Sequence, residues 1–415
     1  MTDRATFVAA FDDRTRRYTR DACFAGDRAV VIGIGPDAHT PAGHLLLCAL
    51  VNQVARAHQR IVLVGDLERP LLCPDVLGHS TVHAATAGLA REIHPWRELS
   101  VSAAAPDTDS TISVAIGQAP GRWNLRVGAA GWRAVFGPSA RVQPDARWGA
   151  AYAASLTAAY VFHAALGSEP QLHGEHSLWE TVGGPGTDGP GGLTLGGGSI
   201  LQVGAGAVGC ALNLWALLLG NEADWTIVDA DIVDISNLNR QLLFRAADAA
   251  EAAGKAYVAA RPFGRHATPI DRWYDQAPDL VEQSFDLVLP LANDRGVRTL
   301  LHYRAEPVLL HATTSRSWQA QLHRHIPGID DCIGCRLPEA AAPTSCSIAP
   351  VAPGEPDAAL PFLSATAGLL LAAAIARRPL ELPQVAENQV AVLMRQSPPV
   401  LRRWVRACEA GCLSA

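Results

Sequence analysis

The residues from Gly204 to Lys255 have the types and the spacing that binding of a nucleoside triphosphate requires. Gly204, Gly206 and Gly209 complete a GxGxxG turn between a predicted strand and a predicted helix. Such a turn lets backbone N–H groups and the N-terminus of the helix approach phosphate oxygens. An acid beyond the next strand can contact a ribose or a metal, and Arg or Lys can offset the charge that develops during attack on a phosphate.

An ordered set of polar side chains follows the second strand of this half, and it supplies those groups. The set consists of Asp229, Asp231, Asn237, Arg240, Gln241 and Lys255. A dinucleotide site needs only one acid at this strand end, so the set argues against an ordinary Rossmann dehydrogenase. Lys255 is also the only lysine among 34 basic residues, which suggests a position that needs a compact ammonium.

Composition indicates a globular protein with more than one domain. The chain has 415 residues, of which 49% are hydrophobic and 18% charged, and this balance excludes a disordered chain. The net charge of −6 offers no basic surface for nucleic acid. The apolar run 362–376 is shorter than the ~18 residues of a membrane span, and the charged N-terminus does not resemble a secretory signal. We therefore expect a soluble, cytoplasmic protein with no membrane partner.

The stretch 183–198 is rich in Gly and Pro and is predicted to be a linker between residues 1–182 and 199–415. The same order of strands and helices is predicted on both sides of it, with strands at 29–34, 61–64 and 112–116 in the first half and at 200–203, 225–228 and 287–289 in the second. Alternating strands and helices predict parallel sheets. The fold class expected is therefore α/β, with two doubly wound Rossmann-like domains related by duplication.

The two halves differ at the turn after the first strand. Gly33 and Gly35 are present in the first half, but Pro36 has no N–H group and Ala38 stands in place of the third glycine. The first half therefore has the pattern of a nucleotide-binding fold that no longer binds a nucleotide.

The runs VGAGAVGC and DADIVDISNLNRQ, followed by Lys255, resemble the adenylating superfamily of ubiquitin-activating enzymes and their bacterial relatives in thiamine and molybdopterin biosynthesis. The resemblance covers residues 199–412. It implies that the glycines bind ATP, that Asp231 contacts the ribose, with Asp229 beside it, and that Asn237, Arg240 and Lys255 bind the phosphates.

The segment RRYTRD, residues 16–21, resembles the Arg-Tyr-x-Arg element of this superfamily. In homodimeric members, the arginine that aligns with Arg20 reaches the ATP site of the other subunit. Here the element precedes the degenerate half, so the resemblance implies a pseudodimer within one chain. Residues 1–182 would be an inactive adenylation domain that supplies Arg20 to residues 199–415. Whether the chain forms a further homodimer stays open.

The expected Mg²⁺ position departs from the superfamily pattern. The superfamily has an Asp that helps to place Mg²⁺, whereas strict alignment of LPLANDRGVR puts Asn293 there, with Asp294 beside it. An amide is a poorer Mg²⁺ ligand than a carboxylate. Either Asp294 takes the role through a shifted turn, or metal use is altered, or activity is weak. We favour Asp294.

Four of the nine cysteines form two closely spaced pairs, Cys332–Cys335 and Cys408–Cys412. Two such pairs can supply a tetrahedral Cys₄ zinc site, and the alternatives are disulfides or free thiols. The superfamily resemblance also places a structural Zn²⁺ here. Cys346 lies in the Pro- and Ala-rich run EAAAPTSCSIAP, where the resemblance places the reactive cysteine of the crossover loop. A thiolate is a suitable nucleophile for taking an acyl group from an adenylate.

The function expected is ATP-dependent activation of a ubiquitin-like protein that ends in glycine. Arg20, Arg240, Lys255, Mg²⁺ and Asp294 would serve the adenylation step. Cys346 would then form a thioester and pass the acyl group to a conjugating enzyme. The fused arrangement is similar to the activating component of bacterial ubiquitin-like antiviral defence operons. Two alternatives remain: an adenylyltransferase for a sulfur carrier or a ribosomal peptide without a thioester step, and a non-catalytic protein that binds a partner.

Overall fold

The computed structural model describes residues 3–18, 26–102, 110–168, 170–292, 309–315, 317–326, 329–331, 360–380 and 387–408. Within these ranges the chain forms two α/β units, one in each half, and each unit is built on a single sheet.

The first half contains helices α1 (Arg4–Tyr18), α2 (Pro41–Val54), α3 (Val82–Ile93), α4 (Arg147–Ala165) and α5 (Leu178–Thr181). Its strands are β1 (Val30–Ile34), β2 (Arg60–Val64), β3 (Glu98–Ser102), β4 (Ile112–Ile116), β5 (Leu125–Ala130), β6 (Arg133–Phe136) and β7 (Gly174–Ser177). They form a sheet in the order β3-β2-β1-β4-β5-β6-β7, in which the pairs from β3 to β5 are parallel and the last two pairs are antiparallel.

The second half contains helices α6 (Ala207–Leu219), α7 (Ala246–Ala250), α8 (Lys255–Ala260), α9 (Pro278–Val281) and α10 (Pro361–Arg377). Its strands are β8 (Leu195–Val203), β9 (Asn221–Val228), β10 (Ala267–Ile270), β11 (Leu287–Pro290), β12 (Leu309–Thr314), β13 (Gln319–His325), β14 (Gln389–Leu393) and β15 (Val400–Trp404). The sheet order is β10-β9-β8-β11-β12-β13-β14-β15, parallel from β10 to β12 and antiparallel beyond.

The two sheets have the same topology, because each strand from β8 to β14 takes the place that its counterpart from β1 to β7 takes in the first half. Central strands such as β1, β4 and β11 are buried at every residue, as expected where helices cover both faces of a parallel sheet. The predicted fold class, two doubly wound α/β domains with the order that duplication produces, is confirmed.

The predicted linker is more ordered than its composition indicates. Strand β8 begins at Leu195, inside the range 183–198, because Leu195 is buried and a bulge between Leu195 and Gly198 lets the glycines pair with β9. The preceding residues lie against tryptophans of the first half, whose indole N–H groups donate to linker carbonyls: Trp179 to Pro185, Trp132 to Pro190 and Trp148 to Leu193, at 2.9–3.0 Å. The last four residues of the predicted linker therefore form strand.

The two halves share one buried apolar core. Helix α4 of the first half packs against α10 of the second, where Phe162 contacts Phe362 and Trp318 with ring centroids 5.5 Å apart. A nitrogen of the His163 ring lies 2.8 Å from the Met394 carbonyl, across the same boundary. This contact fixes how the elements of the first half meet the loops of the second.

Among the described residues, one helical stretch has the length and composition of a membrane span. It runs from Pro361 to Leu380 with a mean hydropathy of 1.2, and 72% of the apolar window is buried inside the fold. Its apolar composition is explained by its place between α4 and α6 in the shared core.

We expect Trp132→Phe to loosen the linker. The substitution removes the hydrogen bond from the Trp132 indole to the exposed Pro190 carbonyl, which costs about 0.5 to 1.5 kcal/mol. Asp188 accepts a hydrogen bond from the Trp132 backbone at 2.7 Å. A protease that cleaves at aspartate should therefore cut at Asp188 faster in the variant than in the wild type. Trp123→Phe is the control, because the Trp123 indole donates to the nearby Pro120 carbonyl. Equal cleavage rates in both variants would contradict the role given to Trp132.

Candidate active site

The three glycines of the GxGxxG turn connect β8 to α6, and each meets a different constraint. Gly204 has a positive φ of 109°, and a Cβ there would lie 2.5 Å from the Ala292 nitrogen. A Cβ on Gly209 would lie 2.4 Å from the Gly204 carbonyl oxygen, so this glycine lets helix and strand pack closely. Gly206 is the N-cap of α6, without a side-chain cap, and a Cβ there would meet nothing within 4 Å. The N-terminus of α6 is therefore open to an anion.

Asp229 supports this turn from beneath. One carboxylate oxygen accepts the Ala205 N–H at 2.6 Å, and the other accepts the Asp231 N–H at 2.9 Å. Burial raises the pKa of the Asp229 carboxyl above its ordinary value, while the nearby Lys255 ammonium and these two N–H groups act in the opposite direction. Because both of its oxygens bind backbone, Asp229 shapes the turn, and Asp231 is the acid that faces outward.

Asp231 and Lys255 form an ion pair, with 2.7 Å between Oδ2 and Nζ. The Lys255 side chain is 7% exposed and that of Asp231 is 38% exposed, so the pair lies at the edge of the interior. The backbone holds both residues in place, since the Lys255 N–H donates to the Asp231 carbonyl at 2.8 Å. The Lys255 ammonium is largely shielded from water, and its acidic partner is partly exposed. It can therefore replace its contact with this acid by a contact with an incoming phosphate.

Asn237 and Arg240 lie on the loop between β9 and α7. The 3₁₀ turn Ile235–Asn237 is capped at its N-terminus by a reciprocal pair of hydrogen bonds: the Asn237 side chain accepts the Asp234 N–H at 3.1 Å, and the Asp234 side chain accepts the Ser236 N–H. The Arg240 guanidinium donates to the Asn239 side chain at 3.0 Å and to the Ser236 carbonyl. The loop therefore holds two phosphate-binding candidates in one compact, hydrogen-bonded segment.

The equivalent turn of the first half is closed. The Trp123 ring packs on Gly33, where a Cβ would lie 2.3 Å from it. The Asp37 carboxylate accepts the Gln118 N–H at 2.7 Å, so it places a negative charge beside the turn. Helix α2 starts only at Pro41, and the Thr40 hydroxyl caps it by accepting the Gly43 N–H. The filled turn, the carboxylate and the capped helix each disfavour binding of an anion at this turn.

Helix α1 of the first half reaches the loop of the second. Asn239, which is fully buried, donates to the Thr15 hydroxyl at 3.4 Å. The other side of α1 is fixed on the first half, where Arg97 lies 3.3 Å from Asp12 and its guanidinium stacks 5.2 Å from the centre of the Phe11 ring. The described helix ends at Tyr18, two residues before Arg20.

Several predicted site residues lie outside the described residues, and their placement stays a prediction: Arg20, Asn293, Asp294, Cys332, Cys335, Cys346 and Cys412. Cys408 is described and half-buried, with its Sγ 3.9 Å from the Asp330 carbonyl. In the described part of the chain, no group of three His, Cys, Asp or Glu side chains is placed to hold a metal. This leaves the zinc prediction untested, since three of its four cysteines fall outside that part.

Sequence reasoning missed the contribution of α2. Asn52 and the buried Arg56 of the first half donate to carbonyls of the loop that carries Arg240. The signal available was a pair of polar residues four positions apart, one in the last turn of a mostly apolar helix and one just beyond its end.

Comparison with known proteins gives a match to one family model in the second half of the chain. Residues 188–392 match the model of the ThiF family. A 73-residue stretch is 38% identical to the NEDD8-activating enzyme E1 catalytic subunit of Dictyostelium discoideum, and covers 17% of this chain and 16% of that protein. A stretch of 61 residues is 48% identical to the Caenorhabditis elegans protein of the same name, and covers 15% and 14%. A third, of 46 residues, is 56% identical to SUMO-activating enzyme subunit 2 of Dictyostelium discoideum, and covers 11% and 7%.

The chain thus matches less than a fifth of the length of these relatives. Among solved structures, Escherichia coli MccB with MccA-N7isoASN superposes with a TM-score of 0.42 at 16% identity, over 52% of this chain and 66% of that one. Escherichia coli MccB with ATP gives a TM-score of 0.41 at 15% identity, over 52% and 65%.

We expect Gly206→Val to weaken ATP binding by about tenfold or more without unfolding the protein. The new side chain would stand in the open space at the N-terminus of α6, where a phosphate has to approach the backbone. Isothermal titration with ATP and urea unfolding would measure the two effects. Gly197→Val is the matched control, because Gly197 also has open surroundings but lies in β8, seven residues before the turn begins. Unchanged ATP affinity in Gly206→Val would mean that the phosphates do not bind here.

Proposed function

We propose that this chain, whose residues 188–392 match the ThiF family model, uses ATP to activate the C-terminal carboxylate of a ubiquitin-like protein. The observation that carries the proposal is the set of groups at the carboxyl edge of the second sheet. The open N-terminus of α6, the Asp231–Lys255 ion pair and the Arg240 loop all follow the carboxyl ends of β8 and β9, where α/β folds bind their ligands.

In the proposed reaction a carboxylate oxygen of the partner attacks the α-phosphorus of ATP. The bond from that phosphorus to the bridging oxygen breaks, and pyrophosphate leaves with the electron pair. The products are an acyl adenylate and pyrophosphate. Negative charge grows on the phosphate oxygens during the attack, and in this proposal the N–H groups of α6, Lys255 and Arg240 offset it. Asp231, once Lys255 turns to the phosphates, is available to the ribose hydroxyls.

Residues 1–182 serve in this proposal as an inactive adenylation domain that completes the active one. The closed turn at Gly33, Asp37 and Thr40 supports the absence of ATP binding there. The contact between Thr15 and Asn239 supports a role for Arg20 in the active site of the same chain. It places the last turn of α1, which ends two residues before Arg20, against the loop of Arg240.

The proposed metal roles rest on the neighbours of the predicted ligands. Ala292 lies directly against Gly204, so Asn293 and Asp294 follow a residue at the turn, and we assign the Mg²⁺ role to Asp294. Mg²⁺ would neutralise phosphate charge. For zinc, the Cys408 thiol lies near Asp330, and the Asp331 N–H donates to the Arg406 carbonyl at 3.3 Å. The segment before Cys332–Cys335 therefore runs beside the segment that leads to Cys408 and Cys412, as a shared Cys₄ site requires.

Transfer to sulfur completes the proposal. The Cys346 thiolate attacks the acyl carbon of the adenylate, AMP leaves, and a thioester forms that a conjugating enzyme accepts. We place this activity in the cytoplasm, in a setting similar to that of bacterial ubiquitin-like defence operons.

We expect the purified protein to catalyse exchange of pyrophosphate into ATP only when a ubiquitin-like protein ending in glycine is present. Cys346→Ser should keep this exchange, because the thiol acts after adenylation. The same variant should lose the partner adduct that reducing agent removes from the wild type on a gel, because a serine hydroxyl can form only an ester that resists thiols. Cys73→Ser, at a partly buried cysteine of the first half, is the control and should keep both.

Each other result selects a different function. Exchange by the wild type without a reducible adduct would reject the thioester step and indicate a sulfur-carrier or peptide adenylyltransferase. ATP binding without exchange for any partner would reject adenylation and indicate a non-catalytic protein.

We expect Arg20→Ala to lower the rate of exchange at least about tenfold with a smaller change in ATP affinity, because this cation is proposed to act on charge that develops in the transition state. The rate at saturating ATP and the KM for ATP measure the two effects separately. Arg17→Ala is the matched control, since the Arg17 guanidinium pairs with Asp13 on α1 itself at 2.9 Å. Equal rates in the two variants would exclude Arg20 from the site.

A further inference from the structure

A buried arginine of the first half binds the back of the loop that carries Arg240. Arg56 lies two residues beyond the end of α2, and its side chain is fully buried at the boundary between the halves. Its Nε donates to the Asn52 side-chain oxygen at 2.9 Å, one helical turn earlier. This contact orients the guanidinium toward the second half.

The remaining donors of Arg56 cross into the second half. One Nη donates to the Leu242 carbonyl at 2.8 Å and to the Phe244 carbonyl at 3.3 Å, and the other donates to the Leu238 carbonyl. Asn52 adds a hydrogen bond from its amide nitrogen to the Leu242 carbonyl at 3.1 Å. Three carbonyls of one short segment therefore converge on a single guanidinium.

Such an arrangement is stable only while every contact is made. All the hydrogen bonds that the described residues give this guanidinium end on amide oxygens. Burial lowers the pKa of Arg56 to about 9, so the group is still charged at neutral pH. A buried charge costs free energy unless its donors are all satisfied. The carbonyl oxygens stabilise the buried guanidinium charge, and the guanidinium in turn holds these carbonyls close together.

We propose that Arg56, oriented by Asn52, is a positioning residue for the ATP site of the second half. It fixes the backbone from Leu238 to Phe244, and so holds Arg240, which lies between two of the bound carbonyls, and Asn237, which precedes them. The assignment to ATP rests on the proposed function. The first half thus shapes the active site from behind the loop, by contacts separate from those of α1.

The test compares Arg56→Met with Arg126→Met. Arg126 is a matched control, because it also donates to backbone carbonyls, those of Ala119 at 2.8 Å and Gly121 at 2.9 Å, but within the first half. Hydrogen exchange of the amides from 238 to 244 and the KM for ATP in pyrophosphate exchange are the two measurements. We expect Arg56→Met to speed amide exchange and to raise the KM at least about tenfold each, and Arg126→Met to change neither.

Arg56→Lys should show smaller changes in amide exchange and in KM than Arg56→Met, because it keeps a charged donor. These changes should not vanish, because an ammonium has fewer donors and a shorter reach than a guanidinium. Asn52→Ala, a milder change, should show the same pattern if Arg56→Met fails to fold. A lower melting temperature with unchanged amide exchange and unchanged KM would overturn the proposal, since Arg56 would then only stabilise the contact between halves. If the wild type shows no pyrophosphate exchange, the adenylation proposal fails, and ATP affinity by calorimetry replaces the KM beside the amide measurement.

Discussion

The apolar contact between α4 and α10 sets how the two halves of this protein meet. Both helices are buried almost along their full length, and their side chains belong to one core that runs through both halves. Because protein interiors are close-packed and hardly compressible, this contact sets where α1 and α2 of the first half meet the second half. The loop from Asp234 to Phe244 is consequently shaped by residues from both halves, and neither sheet alone would hold it.

The same fold has an open glycine turn in the second half and a filled one in the first. In the second half the carboxylate of Asp229 lies beneath the turn and accepts N–H groups there, which leaves the N-terminus of α6 open above it. In the first half the carboxylate of Asp37 lies beside the turn, Trp123 fills the space above Gly33, and Thr40 caps a helix that starts later. The first arrangement leaves backbone N–H groups at the start of α6 open, whereas the second fills the equivalent space. One duplicated copy can therefore become a scaffold for the other.

The cationic groups around the site are held in different ways, and this suits different tasks. Lys255 pairs with an acid that is 38% exposed, where water screens the attraction and the partner can be exchanged. Arg56 is fully buried, and its partners are carbonyls of a folded loop, so it cannot move without that loop. The first arrangement is suited to contact with a ligand, and the second to holding a backbone.

Local pattern in the sequence determined the elements and the candidate ligands. The apolar strands, the GxGxxG turn and the ordered set from Asp231 to Lys255 were predictable, because strand burial, turn geometry and phosphate chemistry each constrain residues that are close in the chain. The same reasoning identified the degenerate first turn from Pro36 and Ala38.

Only the tertiary structure decided what depends on contacts between distant residues. Asp229 proved to support the turn because folding brings the Ala205 N–H against it, and Leu195 became strand because β9 offers a partner. Arg56 and Thr15 gained their roles from loops that lie almost two hundred residues or more away. A composition or a spacing cannot contain such information, since the burial and the hydrogen-bond partners of a side chain exist only once both halves have packed together.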